Sequence, residues 1–343
     1  MIMKLPECVA RGRRIRWIAV VERCPVAVVG RTAPEFMIAE SNRVADAKSG
    51  NCESDRGSVE LRRSEAASTH FVSLQRTLAM HMLADMSTTM KALNAGLSIE
   101  GITLYLFWVS TVAMGTGALY FFLMKGSASR AYQSVYVVAG LICAVAAFHY
   151  YRMSGIYVEG VASLFDADGN RIEGASISAF PTAYRYIDWL ITTPLLLMEF
   201  PLLLRLGAGA KSLFYKLVIL DVLMLVFAWV AEESTLGSGA WWINYIISCV
   251  FWLLIVATLY GTVSKAIDEA PGPIANSART MRLFILVGWV IYPIGFLMAL
   301  AGDAGGSYRE ILYNIADVIN KVFFGLVCVM GVKALMDAEG EKA

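Results

Sequence analysis

Charge is scarce in this chain. Of its 343 residues 17% are charged and 57% hydrophobic, with a mean hydropathy of +0.59, which excludes an ordinary soluble domain of this length. The 29 basic and 28 acidic side chains leave a net charge of +1, and no nucleic-acid partner is expected. Cysteine is thin as well: Cys8, Cys24, Cys52, Cys143, Cys249 and Cys328 are scattered. No metal or disulfide spacing arises among them, so no metal is expected. The start of the chain lacks a long uninterrupted apolar run, because "WIAVV" is cut off by Glu22 and Arg23. It is a weak candidate for a signal peptide.

What the chain does have is apolar stretches of about 20 residues, the length that crosses a hydrocarbon core of roughly 30 Å. They lie near 100–124, 131–153, 184–205, 212–232, 239–263, 279–301 and 309–336. Their continuous apolar character favours helices over the alternating strands of a barrel. The expected fold is an all-α membrane protein, a bundle of seven transmembrane helices embedded in the lipid bilayer of a plasma or cell membrane. Lys125, Arg130, Arg205, Lys211, Lys265 and Arg279 follow spans one, three and five, and Lys342 ends the chain. These face the cytoplasm by the positive-inside rule, which puts the N-terminus outside and the C-terminus inside. In the second loop Asp166, Asp168, Gly169 and Asn170 are turn residues, consistent with a small hairpin.

Residues 1–95 read as an extension, 96–338 as the bundle and 339–343 as a tail. The extension carries "RGRRIR" and no periodicity suited to packing. It fits a disordered segment, a targeting segment, or a start placed too early, with Met80 or Met86 the real one.

Span three carries ionisable groups, which are costly in a bilayer and point to function. At 100° per residue, Asp188 and Glu199 lie within roughly 20° of each other and about 16 Å apart along the axis. Thr192 lies between them and Arg185 precedes them on the same face. The stripe can act as a ladder of proton-exchanging groups or as interhelical hydrogen-bonding groups that fix packing. In span seven Asp317 and Lys321 stand at i and i+4 on one face. A buried amine is usually neutralised, paired or made covalent, which suits a Schiff-base lysine. Simple pairing with Asp317 is the alternative.

"RYIDWLITTPLL" and "ADVINKVFFG", with "GWVIYP" in span six and "AAFHYYR" in span two, resemble the microbial rhodopsins, and among them the proteorhodopsins. The likeness runs over roughly residues 99–335. It implies that Lys321 binds all-trans retinal as a protonated Schiff base. It further implies that Asp188 is proton acceptor and counterion, Asp317 the second counterion, Arg185 the outer modulator of both, and His149 a hydrogen-bond partner of the acceptor carboxylate. The Asp188, Thr192, Glu199 pattern resembles that of outward proton pumps, with Glu199 as proton donor. Sodium pumps of the family carry Asn and Gln in this pattern, and chloride pumps replace the acceptor Asp, so neither fits.

By the same resemblance Trp189 and Trp289 sandwich the polyene, and Thr193, Leu196, Tyr292 and Pro293 line the pocket. Met224, Tyr245 and Ser248 match less closely. Leu196 occupies the colour-tuning position, where Leu implies green absorption and Gln blue. Tyr245 occupies the place of a small Gly that admits a carotenoid in xanthorhodopsin-like relatives, so no carotenoid antenna is expected. The resemblance also implies a homo-oligomer, trimer to hexamer with a pentamer favoured, and a transporter of protons rather than an enzyme. Asp221 has no matched counterpart and reads as a hydrogen-bonding group facing the bundle. Glu232 and Glu310 sit at the outer end without forming an evident release pair. The alternative is a photosensory rhodopsin signalling through a separate transducer, since the segment after Ala334 is too short for a signalling domain. A transporter using Lys321 and Asp317 as a plain ion pair would show no visible colour.

Overall fold

The computed structural model describes residues 54–177, 180 and 182–340. Among them, seven helices are long and apolar enough to cross a membrane: Ile99–Ser127, Gln133–Ala162, Tyr184–Leu203, Gly209–Glu232, Gly239–Glu269, Gly272–Ala301 and Gly306–Gly340. These are spans one to seven. Each coincides with an apolar run in the sequence, and most extend past it, because polar residues at the ends continue the helix once its apolar centre is fixed. Ser98 and Ser238 begin spans one and five by accepting the backbone N–H of Gly101 and Trp241, each at 3.2 Å, which satisfies one of the free donors of a first turn.

The chain divides into Met1–Thr69 and His70–Ala343. In the first unit the described part, from Ser54, is helical. "RGRRIR", "WIAVV" and the first three cysteines lie outside the described residues. In the second unit Ala92 and Ala95 are buried in a cluster with Leu104, Phe107 and Tyr150. Ala92 and Ala95 thus pack with the bundle ahead of span one. Small alanines carry little apolar signal, yet they fit closely between helices.

Consecutive spans pack on one another, and span seven returns to span one. Within the central apolar window of span three 61% of residues are buried, against 22% for span four. Span three is thus the inner post on which a site can be built, and Ile187, Leu190 and Ile191 form its exposed, lipid-compatible side. Spans six and seven are each interrupted by a π-helical turn, Phe284–Gly288 and Ile319–Phe323. Such turns free backbone carbonyls, and Asn320 Nδ2 takes up one of them, Gly288 O, at 3.1 Å. A Cβ at position 288 would run into the Asn320 amide, so a larger residue there would have to displace Asn320 from its bond to the Gly288 carbonyl.

The second loop contains the expected small hairpin, as an antiparallel bridge between Phe165 and Arg171. Asp166 Oδ1 accepts the backbone N–H groups of Asn170 and Asp168, each at 2.9 Å. These bonds, led by that from Asn170, hold its carboxyl below the usual carboxylate range. Arg171 reaches Glu100 at the start of span one, 2.8 Å away.

Candidate functional site in the bundle core

Lys321 is 2% exposed, and its amine lies 2.7 Å from Asp188 Oδ2 and 2.7 Å from Asp317 Oδ2. Both carboxyls are fully buried. A cation without water is stable only when opposite charge and acceptors replace the lost hydration, and spans three and seven supply one carboxylate each. The two carboxylates are not equivalent. Asp317 also accepts from Tyr292 Oη, from Tyr150 Oη at 3.0 Å and from Trp189 Nε1 at 3.3 Å. Asp188 has no such support: its Oδ1 is buried without a hydrogen-bond partner.

His149 does not make the expected hydrogen bond. Its Nδ1 lies 3.8 Å from Asp188 Oδ1, because the same nitrogen is held at 2.9 Å by the Val145 carbonyl one turn back in span two. Thr192 is buried beside Asp188, but its hydroxyl donates to the Asp188 backbone carbonyl at 2.9 Å. The ladder is continuous along the helix face without being a chain of touching side chains.

Arg185 is fully buried and meets neither aspartate directly. It donates through Nε and Nη2 to Glu310 Oε2, through Nη2 to Asn314 Oδ1 at 2.7 Å, and through Nη1 to Tyr150 Oη at 2.9 Å. Tyr150 therefore links Arg185 to Asp317. Beyond Glu310, Arg309 pairs with Glu232 at 2.9 Å and donates to Thr182 Oγ1 at 2.7 Å. Tyr150, Asn314, Arg309, Glu310 and Thr182 were not identified as site residues in the sequence. One signal was available: Glu310, Asn314, Asp317 and Lys321 recur at spacings of four, three and four, one face of a helix.

Glu199, at the opposite end of the span-three stripe, is fully buried, and neither carboxyl oxygen has a hydrogen bond. Asp221 faces the bundle as expected and accepts from Thr193 Oγ1 at 2.7 Å.

A cavity lined by Lys321 lies between spans three to seven, with about 770 Å³ of non-atom volume including its mouth. Trp189, Thr193, Leu196, Met224, Tyr245, Ser248, Trp289, Tyr292, Pro293 and Lys321 all line it. All ten pocket residues singled out in the sequence thus converge on one space. Tyr186, Trp252, Phe296 and Tyr313 also line it; as isolated aromatics in apolar spans they carried no distinguishing signal. Tyr245 is stacked on Trp241 and Phe296, at 5.9 and 5.2 Å between ring centroids, and fills the gap between spans five and six. An elongated apolar molecule ending in a carbonyl would fit: its body against the tryptophans and its end at a buried amine already flanked by counter-charge.

Comparison with known proteins agrees with this geometry. Residues 102–335 match the family described as bacteriorhodopsin-like protein. The chain is 34% identical over 225 residues to the green-light absorbing proteorhodopsin of gamma-proteobacterium EBAC31A08, covering 64% of this chain and 82% of that one. It is 32% identical, over the same length and coverage, to the blue-light absorbing proteorhodopsin of gamma-proteobacterium Hot 75m4. Among solved structures, Exiguobacterium sibiricum rhodopsin superposes with a TM-score of 0.59 at 41% identity, covering 68% of this chain and 96% of that one. The matched region takes in all seven spans and both halves of the buried charge cluster, so the chain belongs to the bacteriorhodopsin-like family, as a multi-pass cell-membrane protein among the light-driven, retinal-binding rhodopsins.

Proposed function

We propose that the chain is a light-driven outward proton pump, with all-trans retinal held on Lys321 as a protonated Schiff base. The observation that carries this reading is the buried Lys321 amine set between Asp188 and Asp317. Glu199, eleven residues along the same span, supplies a second carboxyl on the other side. When bound, retinal supplies the light-driven change of shape that alters which groups the Lys321 nitrogen faces.

The remaining steps belong to the chain's own residues. Before illumination two carboxylates keep the Lys321 nitrogen cationic. Asp188 is the better acceptor of its proton, because three hydroxyl and indole donors already stabilise the negative charge on Asp317, whereas Asp188 Oδ1 is free. His149 Nδ1 lies 3.8 Å from the oxygen of the newly protonated group. Tyr150, Arg185 and Glu310 give the charge change a hydrogen-bonded route toward the outer end. Glu199, in apolar surroundings that favour a neutral carboxyl, holds the proton that returns to the nitrogen. Two carboxyls in unlike environments, one on each side of a switchable base, give the transfer its direction.

Cells expressing the protein with retinal, illuminated in unbuffered medium, should acidify it, and an uncoupler should abolish the effect. Alkalinisation would overturn the proposal. A coloured, inserted protein that leaves the pH unchanged would favour the photosensory reading instead.

Colour gives a second test. Similarity to green- and blue-absorbing relatives is nearly equal, so the pocket must decide. Leu196 adds no dipole beside the polyene site, which supports green absorption. Leu196→Gln is expected to shift the absorption maximum to the blue, and the stacked Tyr245 to keep an added xanthophyll from contributing to the pumping action spectrum. An unshifted Gln variant, or carotenoid bands in that spectrum, would show the pocket to be misassigned.

A further inference from the structure

Two backbone carbonyls of span six lose their regular helical partners at the π-turn Phe284–Gly288. In a regular helix the Trp289 N–H would bond the Ile285 carbonyl, four residues back; here it bonds Phe284 O at 3.0 Å. Likewise the Tyr292 N–H bonds Trp289 O at 3.2 Å instead of Gly288 O. Each of the two carbonyls receives a side-chain donor from a different neighbour. Trp252 Nε1 of span five lies 3.0 Å from Ile285 O, and Asn320 Nδ2 of span seven 3.1 Å from Gly288 O. A buried carbonyl left without a donor is costly, so these two bonds fix the shape of the turn. Asn320 Nδ2 also reaches Tyr292 Oη at 3.4 Å, while its Oδ1 is buried without a partner. Trp252, Asn320 and Trp289, the residue directly after the turn, all line the cavity.

We propose that Trp252 and Asn320 are positioning residues: from two neighbouring spans they clamp the π-turn of span six, and so hold Trp289 where it flanks the bound pigment. This rests on the pump reading above, with retinal on Lys321. A tryptophan fixed in this way favours a straight all-trans chain over a bent isomer, because a ring that cannot yield leaves the bend no room. The clamp exchanges no proton. Its two donors act on backbone carbonyls, and their effect reaches the pigment through the placement of the Trp289 ring.

Two measurements on the full-length protein test this. Amide hydrogen exchange of residues 284–292 in the pigment-free protein, followed by mass spectrometry, should quicken in Trp252→Phe, which keeps a ring and loses the N–H, and in Asn320→Ala. The expected factor is roughly fivefold, that of losing one neutral hydrogen bond. With retinal bound, the ratio of 13-cis to all-trans pigment extracted from dark-adapted protein should rise by a similar factor in both. Gly288→Ala, whose Cβ would displace the Asn320 amide, should act as Asn320→Ala does, and the double variant should go no further, since both changes break the same bond. Trp252→Phe, the milder change, decides the matter if Asn320→Ala fails to insert. Pigmented variants with native exchange and a native isomer ratio overturn this inference alone. Faster exchange with an unchanged isomer ratio would mark a merely structural clamp and overturns it too. A native protein that takes up no retinal overturns the pump reading and this inference with it.

Discussion

Lys321→Ala is expected to yield a protein that inserts in the membrane, binds no pigment covalently and shows no visible band. The argument is positional. Lys321 lines the cavity, and the other lysine of span seven, Lys333, is exposed and paired with Asp337 one turn away. Among the described residues, no second amine lines that space. The substitution leaves Asp188 and Asp317 buried without their shared cation, a loss on the order of 3–5 kcal/mol for a broken buried pair, which protonation of one carboxyl would moderate. A colourless result could then reflect poor folding. Lys321→Arg separates the two causes, because a guanidinium keeps the charge between the aspartates but cannot deprotonate to form a Schiff base. Both variants should be colourless, and the Arg variant should express and insert as the native chain does. A visible band in either would refute the attachment site.

The sequence carried the parts of this site that repeat along one helix. Asp188, Thr192 and Glu199 on span three, and Asp317 and Lys321 on span seven, share faces by helical spacing alone, and the structure brings both faces to one core. The Thr193 to Asp221 bond and the Arg309 bonds to Glu232 and Thr182 depend instead on which span ends meet. Hydropathy finds spans; it does not set their rotation or neighbours. His149 illustrates a finer limit, since a ring nitrogen near two acceptors is decided by rotamer, and Val145 holds it here. The π-helical turns were equally hidden, because nothing in "FILVG" or "INKVF" departs from ordinary helix-forming composition. The aligned stripe is therefore the legible feature, and the cross-helix network around it is what the fold adds.

Asp188→Asn is expected to redden the pigment at neutral pH and to stop pumping. The amide has nearly the shape of the carboxylate, so packing around span three should survive, and Asp317 with its Tyr150, Tyr292 and Trp189 donors remains to hold the Lys321 nitrogen cationic. What is lost is one negative charge 2.7 Å from that nitrogen. Charge placed there stabilises the ground state, in which positive charge sits at the nitrogen, more than an excited state in which it has moved away. Removing it narrows the gap, and absorption shifts to the red. Pumping stops for a separate reason: an amide cannot take up the proton, and Asp317, its oxygens already occupied, is a poor substitute. Acid titration links the two effects. Protonating Asp188 in the native protein neutralises the same charge, so lowering the pH should redden it toward the colour of the Asn variant, while the variant should lose that transition. An Asn variant with the native spectrum would mean that Asp317 alone is the counterion. A reddened variant that still acidified the medium would place the acceptor on another residue.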